Sequence, residues 1–468
     1  MKRYSYLAPS RTKIGVNPIG RVNGRLADGA GGYAYSVCSY NFDLSRGDMR
    51  DGKGFRPYGN PITLANPSEN DRIYFYKRTD GNGGADDRLL YYYAADGCVY
   101  ERAAGALMAN KVDGLNFDDP PSGVCYNYNG EDVMIFSSKS GGMKIYDGTA
   151  VTGVEDAPPV TSMCAHGERL FLTDADGDAV WFSDDFDPAN WNVSLSEAGF
   201  IDFGGAGGRV LKAVSFGGYV YVFKSYGISK VYAYGEQNSF SASEIFVSSG
   251  KIRGDSITVC GNCILFFASD GLYRFDGLSA TRISDAYADF LDLSYERVKG
   301  AYYDGKAYFS LADDYGGTST RCILSVDPHN YADYYFIKGV KPTDTAVIAG
   351  EDRYALVVLA DTGQILELTD ADDASDLTAE KIWIGKFGDF GLTARRKLLE
   401  EVSFYSDTAA SAEVNADGVI RAYRTEASKK RRVIRPNVRA DRFSIKIKCT
   451  EKNSRVVGLT LKFSYYDE

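Results

Sequence analysis

From about residue 60 to residue 375 the chain repeats one pattern: an apolar strand, a short turn carrying Gly or Asp, a second apolar strand, another turn, and an aromatic-rich strand. A clear copy runs from Ala213 through Gly217-Gly218 to Phe223, then on through Ser229 to Tyr234. A second runs from Ile257 through Cys260-Gly261-Asn262-Cys263 to Phe267, then from Ser269 to Gly277. The same shape spans Gly123 to Asp147, Thr161 to Ser183, Gly300 to Val326 and Ala346 to Leu368, with a looser copy from Arg72 to Tyr100. The central turns align at Gly130, Gly167, Gly217, Gly261, Gly305 and Glu351, spaced 37, 50, 44, 44 and 46 residues apart. Periods of about 40–50 residues built from short strands indicate β-propeller blades. A lone small sheet leaves two raw edges and two apolar faces, and packing such sheets radially buries those faces. The expected fold is all-β, a propeller of six to seven blades. An immunoglobulin-type array would repeat nearer every 100 residues, and the rungs of a β-helix are shorter.

The flanks differ from this body. Residues 1–60 carry Gly20, Gly24, Gly29, Gly31 and Gly32 without clear periodicity. They read as an extended arm that docks on a partner, or as a strand that closes the propeller. Residues 376–468 return to strand-like alternation. Phe443, Ile445 and Ile447 alternate with Ser444, Lys446 and Lys448, the signature of a half-buried strand with a cationic outer face. Four or five such strands imply a small β-sandwich-like domain. The expected organisation is thus an arm over 1–60, a propeller over 61–375 and a sandwich over 376–468. Helical signal is confined to two short stretches, Ala286 to Tyr295 and Asp373 to Glu380.

Composition agrees with a β-rich chain: 35 Tyr suit half-buried pleated surfaces and 50 Gly supply turn positions. Charge changes the picture more. The net charge is −10, but it is unevenly placed. Residues 395–468 hold 17 Lys and Arg against 10 Asp and Glu, whereas the first 394 residues hold 36 against 53. An acidic body does not wrap nucleic acid, which needs clustered cations. It does suit a surface that nucleic acid slides past. The basic run Lys429, Lys430, Arg431, Arg432, with Arg435 and Arg439 beyond it, is the candidate for inter-subunit or phosphate contacts; the plainer reading is a solvated strand face. No apolar stretch follows Met1-Lys2-Arg3, so no signal peptide is expected, and no run reaches the roughly 18 apolar residues of a membrane helix.

Catalytic chemistry is thinly supported. The two histidines, His166 and His329, lie outside any HExxH, and no G-x-S-x-G elbow or Walker sequence is present. Gly204 to Gly208 reads as a loop between blades. The eight cysteines are scattered, and Cys260-Gly261-Asn262-Cys263 has no second pair to complete a zinc site, so it reads as a hairpin turn. Asp174-Ala175-Asp176-Gly177-Asp178 places alternate carboxylates as a calcium loop would, but Ala179 stands where such a loop needs Gly, so an acidic hairpin turn is expected. A glycosidase needs paired carboxylates in a cleft, and among 63 Asp and Glu no pair stands out. No enzyme activity, cofactor or metal is expected.

The order of parts resembles the propeller-bearing tail hub or nozzle proteins of short-tailed bacteriophages, also called packaged-DNA stabilisation proteins. The resemblance covers about residues 35 to 468. It is carried by Tyr40-Asn41-Phe42-Asp43 with Gly47 to Phe55; by His166 to Phe171 with Val180-Trp181-Phe182-Ser183-Asp184 and Pro188-Ala189-Asn190-Trp191; by Gly218 to Lys224; by Ser269 to Gly277; and by Gly388-Asp389-Phe390 with Arg395-Arg396-Lys397. Each stretch is weak alone, and the order carries the likeness. It implies a virion protein of the tail, assembled in the host cytoplasm. It would form a homo-oligomeric, six-fold ring below the portal or adaptor, contact other tail proteins, and retain or gate double-stranded DNA in its lumen without reading sequence. A propeller module that recognises a glycan or protein receptor remains the alternative.

Overall fold

The computed structural model describes residues 11–16, 36–58, 66–79, 83–103, 110–205, 207–285, 287–314, 317–331, 333–350, 353–374, 380–385, 387–389 and 396–466. Among them the regular structure is β-strand, with three single turns of 3-10 helix. One of those turns, Ala288–Phe290, stands where the first helical stretch was expected. The second expected stretch falls mostly outside the described residues, as does much of the expected arm over 1–60. The chain divides into two compact units: residues 57–324 with 340–368, and residues 1–56 with 325–339 and 369–468.

The first unit is a propeller of seven blades among the described residues, spanning 72–116, 122–154, 160–202, 210–247, 258–282, 299–326 and 342–369. Each of the seven repeat copies seen in the sequence is one blade. In each of the first five blades the first strand is innermost and the other three follow outward in sequence order, each antiparallel to the one before. The turn glycines earn their places by backbone conformation: Gly130, Gly167, Gly217, Gly261 and Gly305 all have positive φ. Cys260 pairs directly with Cys263 across such a hairpin, and Asp176 donates its amide to Asp174 Oδ1 in an acidic turn. Fourth strands were harder to read because they lie at the rim; Ser241–Val247 has no buried residue.

The ring can be followed seam by seam. Apolar clusters join blades one and two through Tyr76, Leu90 and Phe136, two and three through Ile135 and Leu170, three and four through Phe182 and Val220, and four and five through Phe223 and Phe266. Phe267 packs edge-on against Phe309 at 5.1 Å across the fifth seam. Ser310 donates its hydroxyl to the Pro342 carbonyl across the sixth. The last seam joins the ends of the unit: Ile73, Leu89 and Tyr91 pack with Ile348, Val357 and Leu359. The chain just ahead of the first blade also enters the seventh, where the Tyr58 amide donates to the Ile365 carbonyl at 3.0 Å. Closing the ring in this way removes the open faces that an unclosed stack would leave in water.

The second unit is a two-sheet sandwich. One sheet runs Phe42–Asp43, Met49–Asp51, Arg455–Tyr466, Lys397–Ser406, Ser428–Ile434, with Val438–Ala440 also on Lys397–Ser406 and Arg11–Val16 also on Arg455–Tyr466. The other runs Tyr334–Ile337, Ser36–Tyr40, Lys381–Gly385, Phe443–Cys449, Ala410–Ala416, Val419–Thr425. Between them lie Trp383, Phe404, Phe443, Ile445, Ile447, Leu461 and Phe463, all buried. Phe443–Cys449 alternates buried and half-buried residues as its sequence predicts. Its expected cationic face is internally neutralised: Lys446 and Lys448 reach Glu413 on the next strand at 3.3 and 3.1 Å.

Candidate functional site

Among the described residues the sandwich has an open side that the basic segment builds. Ala410–Ala416 and Val419–Thr425 form a hairpin turned by Asp417 and Gly418, both at positive φ, the geometry that a two-residue connection between twisted strands requires. Ala410–Ala416 alternates buried and half-buried positions. Val419–Thr425 is the last strand of its sheet, and no residue in it is buried on either face. Val419 and Ile420 are 59% and 63% exposed, and Arg421 and Arg424 point into solvent beside them.

The chain then crosses at Glu426-Ala427 to Ser428–Ile434, the last strand of the opposite sheet. Its register on Lys397–Ser406 slips: Phe404 faces Arg432, but Ser406 faces Ser428, so residues 429–431 stand against Tyr405 alone. A bulge of this kind bends an edge strand and re-aims its side chains. Lys430 and Arg431 within the bulge are exposed. Unpaired edges invite other strands, and cations on an edge limit indiscriminate pairing.

The six sequence-predicted cations do different things. Arg432 bonds the crossing turn, donating to the Glu426 and Ala427 carbonyls at 3.2 and 3.1 Å, so it is a structural brace. Arg431 donates to Ser403 Oγ at 2.7 Å and stays exposed. Lys430, Arg435 and Arg439 are exposed, and the Lys429 side chain lies outside the described set. Sequence reasoning missed Arg421 and Arg424. Their signal was the adjacent apolar pair Val419-Ile420, which breaks alternation and marks a strand with no buried face.

A second constellation sits on the innermost strands of the propeller. Asp344, on the first strand of the seventh blade, accepts from Lys299 Nζ of the sixth at 2.9 Å and from the Ile73 amide of the first at 2.9 Å. Lys212 of the fourth blade donates to the Ile257 carbonyl at 3.2 Å. Burial pushes the Lys299 and Lys212 ammonium groups below their ordinary range, with nearby carboxylates opposing it. Each of these residues is a lone charge in an apolar run, so nothing in the sequence pairs them. His166 is buried, with Nδ1 2.8 Å from Ser215 Oγ, and burial lowers its pKa. His329 sits in a turn, its amide held by Asp327.

No protein-family model matches the chain, and no curated protein matches it either. Solved structures do. The chain is similar to BBS1N, described in complex with ARL6DN, at 11% identity and a TM-score of 0.44, covering 69% of this chain and 97% of that one. It is also similar to PorZ, a bacterial surface component of the type-IX secretion system of Porphyromonas gingivalis, at 13% identity and a TM-score of 0.41. That match covers 79% of this chain and 46% of PorZ. The propeller assignment rests on the seven sheets and the closed ring described above.

Proposed function

We propose that the protein is a structural virion component of a tailed phage. It forms a ring below the portal or adaptor that extends the DNA channel and retains the packaged genome. The observation that carries this reading is the open side of the sandwich, where exposed apolar residues and cations line two adjacent sheet edges. A monomer gains nothing from exposing Val419 and Ile420, whereas an assembling subunit covers them. The resemblance of the motif order to tail hub and nozzle proteins supplies the setting. The acidic body suits a lumen along which DNA moves without adhering. The protein acts without catalysis or cofactor. Quantitative mass spectrometry of density-purified particles tests this: a fixed stoichiometry of a closed ring, about six or twelve copies, is expected. Absence from particles overturns it.

A binding-module reading is favoured by one feature. Tyr232 and Tyr234 lie half exposed with ring centroids 5.2 Å apart, and Tyr219 stands 6.3 Å from Tyr232. Such a platform can stack on a sugar face or anchor a protein. Saturable glycan-array binding that Tyr232→Ala and Tyr234→Ala abolish would establish it.

A further inference from the structure

The third blade carries a feature that neither core packing nor ring closure explains. Its last hairpin connection, Ser183 to Ala198, is long and projects Phe186, Val193 and Leu195, which are 73%, 40% and 86% exposed. Phe186 also adopts φ +56°, a conformation that costs a bulky side chain energy and is retained where the surroundings impose it. Its amide is fixed by the Glu168 carbonyl at 2.9 Å.

The loop is rigidly held. Asp184 accepts from Asn190 Nδ2 at 2.9 Å and from the Glu197 amide at 3.0 Å, tying both ends together. Asn192 Oδ1 accepts the Ser194 and Leu195 amides. Trp191 is buried beneath, its indole donating to the Pro188 carbonyl. Arg169, buried in the blade, donates to the Ser183 and Glu197 carbonyls and pairs with Asp185. The apolar side chains are therefore displayed by a preorganised scaffold, which lowers the ordering cost of binding.

The same loop is rich in carboxylates. Glu168, Asp184, Asp185, Asp187 and Glu197 share this end of the blade, with Arg169 the cation bonded among them. Burial raises the Asp185 carboxyl, and crowding by Glu168, Asp184 and Glu197 reinforces it against the pull of Arg169. The knob is thus apolar at its tip and acidic at its rim. The open side of the sandwich has the opposite character: Val419 and Ile420 share their exposed strand with Arg421 and Arg424, and Lys430, Arg431 and Arg435 are exposed on the segment that follows.

We propose that the Ser183–Ala198 knob of one copy docks on the Val419–Thr425 edge of a second copy. Phe186 and Leu195 cover Val419 and Ile420, and the acidic rim meets the cationic one. A contact between two different surfaces of the same chain is head-to-tail, the kind that closes rings. Opposite charge at the rim fixes orientation and rejects knob-to-knob pairing. This proposal rests on the ring reading above and names the contact that builds the ring.

The test uses two full-length variants, Leu195→Arg/Glu168→Lys (knob disabled) and Ile420→Asp/Arg424→Glu (edge disabled). All four positions are outside the buried core, so both chains should keep the wild-type thermal midpoint. Sedimentation equilibrium and native mass spectrometry should show wild type assembling and each variant alone associating at least about 30-fold more weakly, as for loss of a central anchor. Mixed in equal amounts, the variants retain one intact knob and one intact edge between them. The mixture should give a one-to-one dimer that grows no further. Variants that assemble like wild type, or a mixture that stays monomeric, overturn the knob-to-edge contact while leaving ring formation standing. A wild type that is monomeric at every concentration and absent from particles overturns the ring reading with it.

Discussion

Asp344 should be the clasp of the propeller, and removing it should open the ring. Its carboxylate holds Lys299 of the sixth blade and the Ile73 amide of the first, and the Lys299 and Asp344 side chains are each 9% exposed. Asp344→Ala leaves a buried ammonium without its partner, at about 3–5 kcal/mol. It also orphans a buried amide, at about 1–3 kcal/mol. Asp344→Asn keeps an acceptor for Ile73 and removes only the charge, so it should be milder. Lys299→Met with Asp344→Leu removes both charges and should recover most of the loss, because a buried ion pair replaced by apolar groups is often near neutral. What remains is the orphaned Ile73 amide. Urea unfolding read by peptide-level hydrogen exchange measures the propeller separately from the sandwich. Fast exchange should begin in residues 72–76 and 342–349. A loss below about 1 kcal/mol for Asp344→Ala, or a double variant as unstable as the single one, would refute the clasp.

The other predictions are independent of this one. A Cβ on Gly300 would overlap Thr258 Oγ1 and lie 2.7 Å from Phe309 Cε1, so Gly300→Ala should destabilise the propeller by about 1–3 kcal/mol in the same urea assay. Burial raises the Asp48 carboxyl, but Arg50 and Arg455, at 2.6 and 2.8 Å, outweigh it and hold it below its ordinary value. Its contribution to the sandwich is present above the ordinary carboxylate range and lost as pH falls through the lowered value. Asp48→Asn should therefore flatten acid unfolding of that unit in a pH-resolved exchange experiment. Burial pushes the Cys164 thiol up to about 12 and Cys449 up to about 11, and it raises Cys260 and Cys263 as well. Alkylation at pH 8 should spare all four until the chain unfolds; mass spectrometry of the labelled peptides checks it. Arg435→Glu with Arg439→Glu should leave the thermal midpoint within about 1 °C, since surface changes cost little, and should weaken incorporation into particles.

Local order was legible in the sequence because it is local. Alternating apolar residues around a tight turn, at five of the repeats a positive-φ glycine, encode a hairpin locally, and the seven repeats appear as seven blades. The alternation of Phe443, Ile445 and Ile447 likewise reports a half-buried strand without knowledge of its partner. Everything that joins distant segments was decided by tertiary structure. Ile73 meets Asp344 across 271 residues, and Met49 pairs with Val456 from the far end of the chain. The basic run looked uniform, yet Arg432 became a brace while Arg435 and Arg439 remained exposed. The broken alternation at Val419-Ile420 hints at a strand with no buried face, but only the sheet order shows that the sheet ends there. Hydrophobic periodicity records whether a side chain is buried. It does not record which strand lies beside it, because that choice follows from closing edges and filling volume across the whole unit.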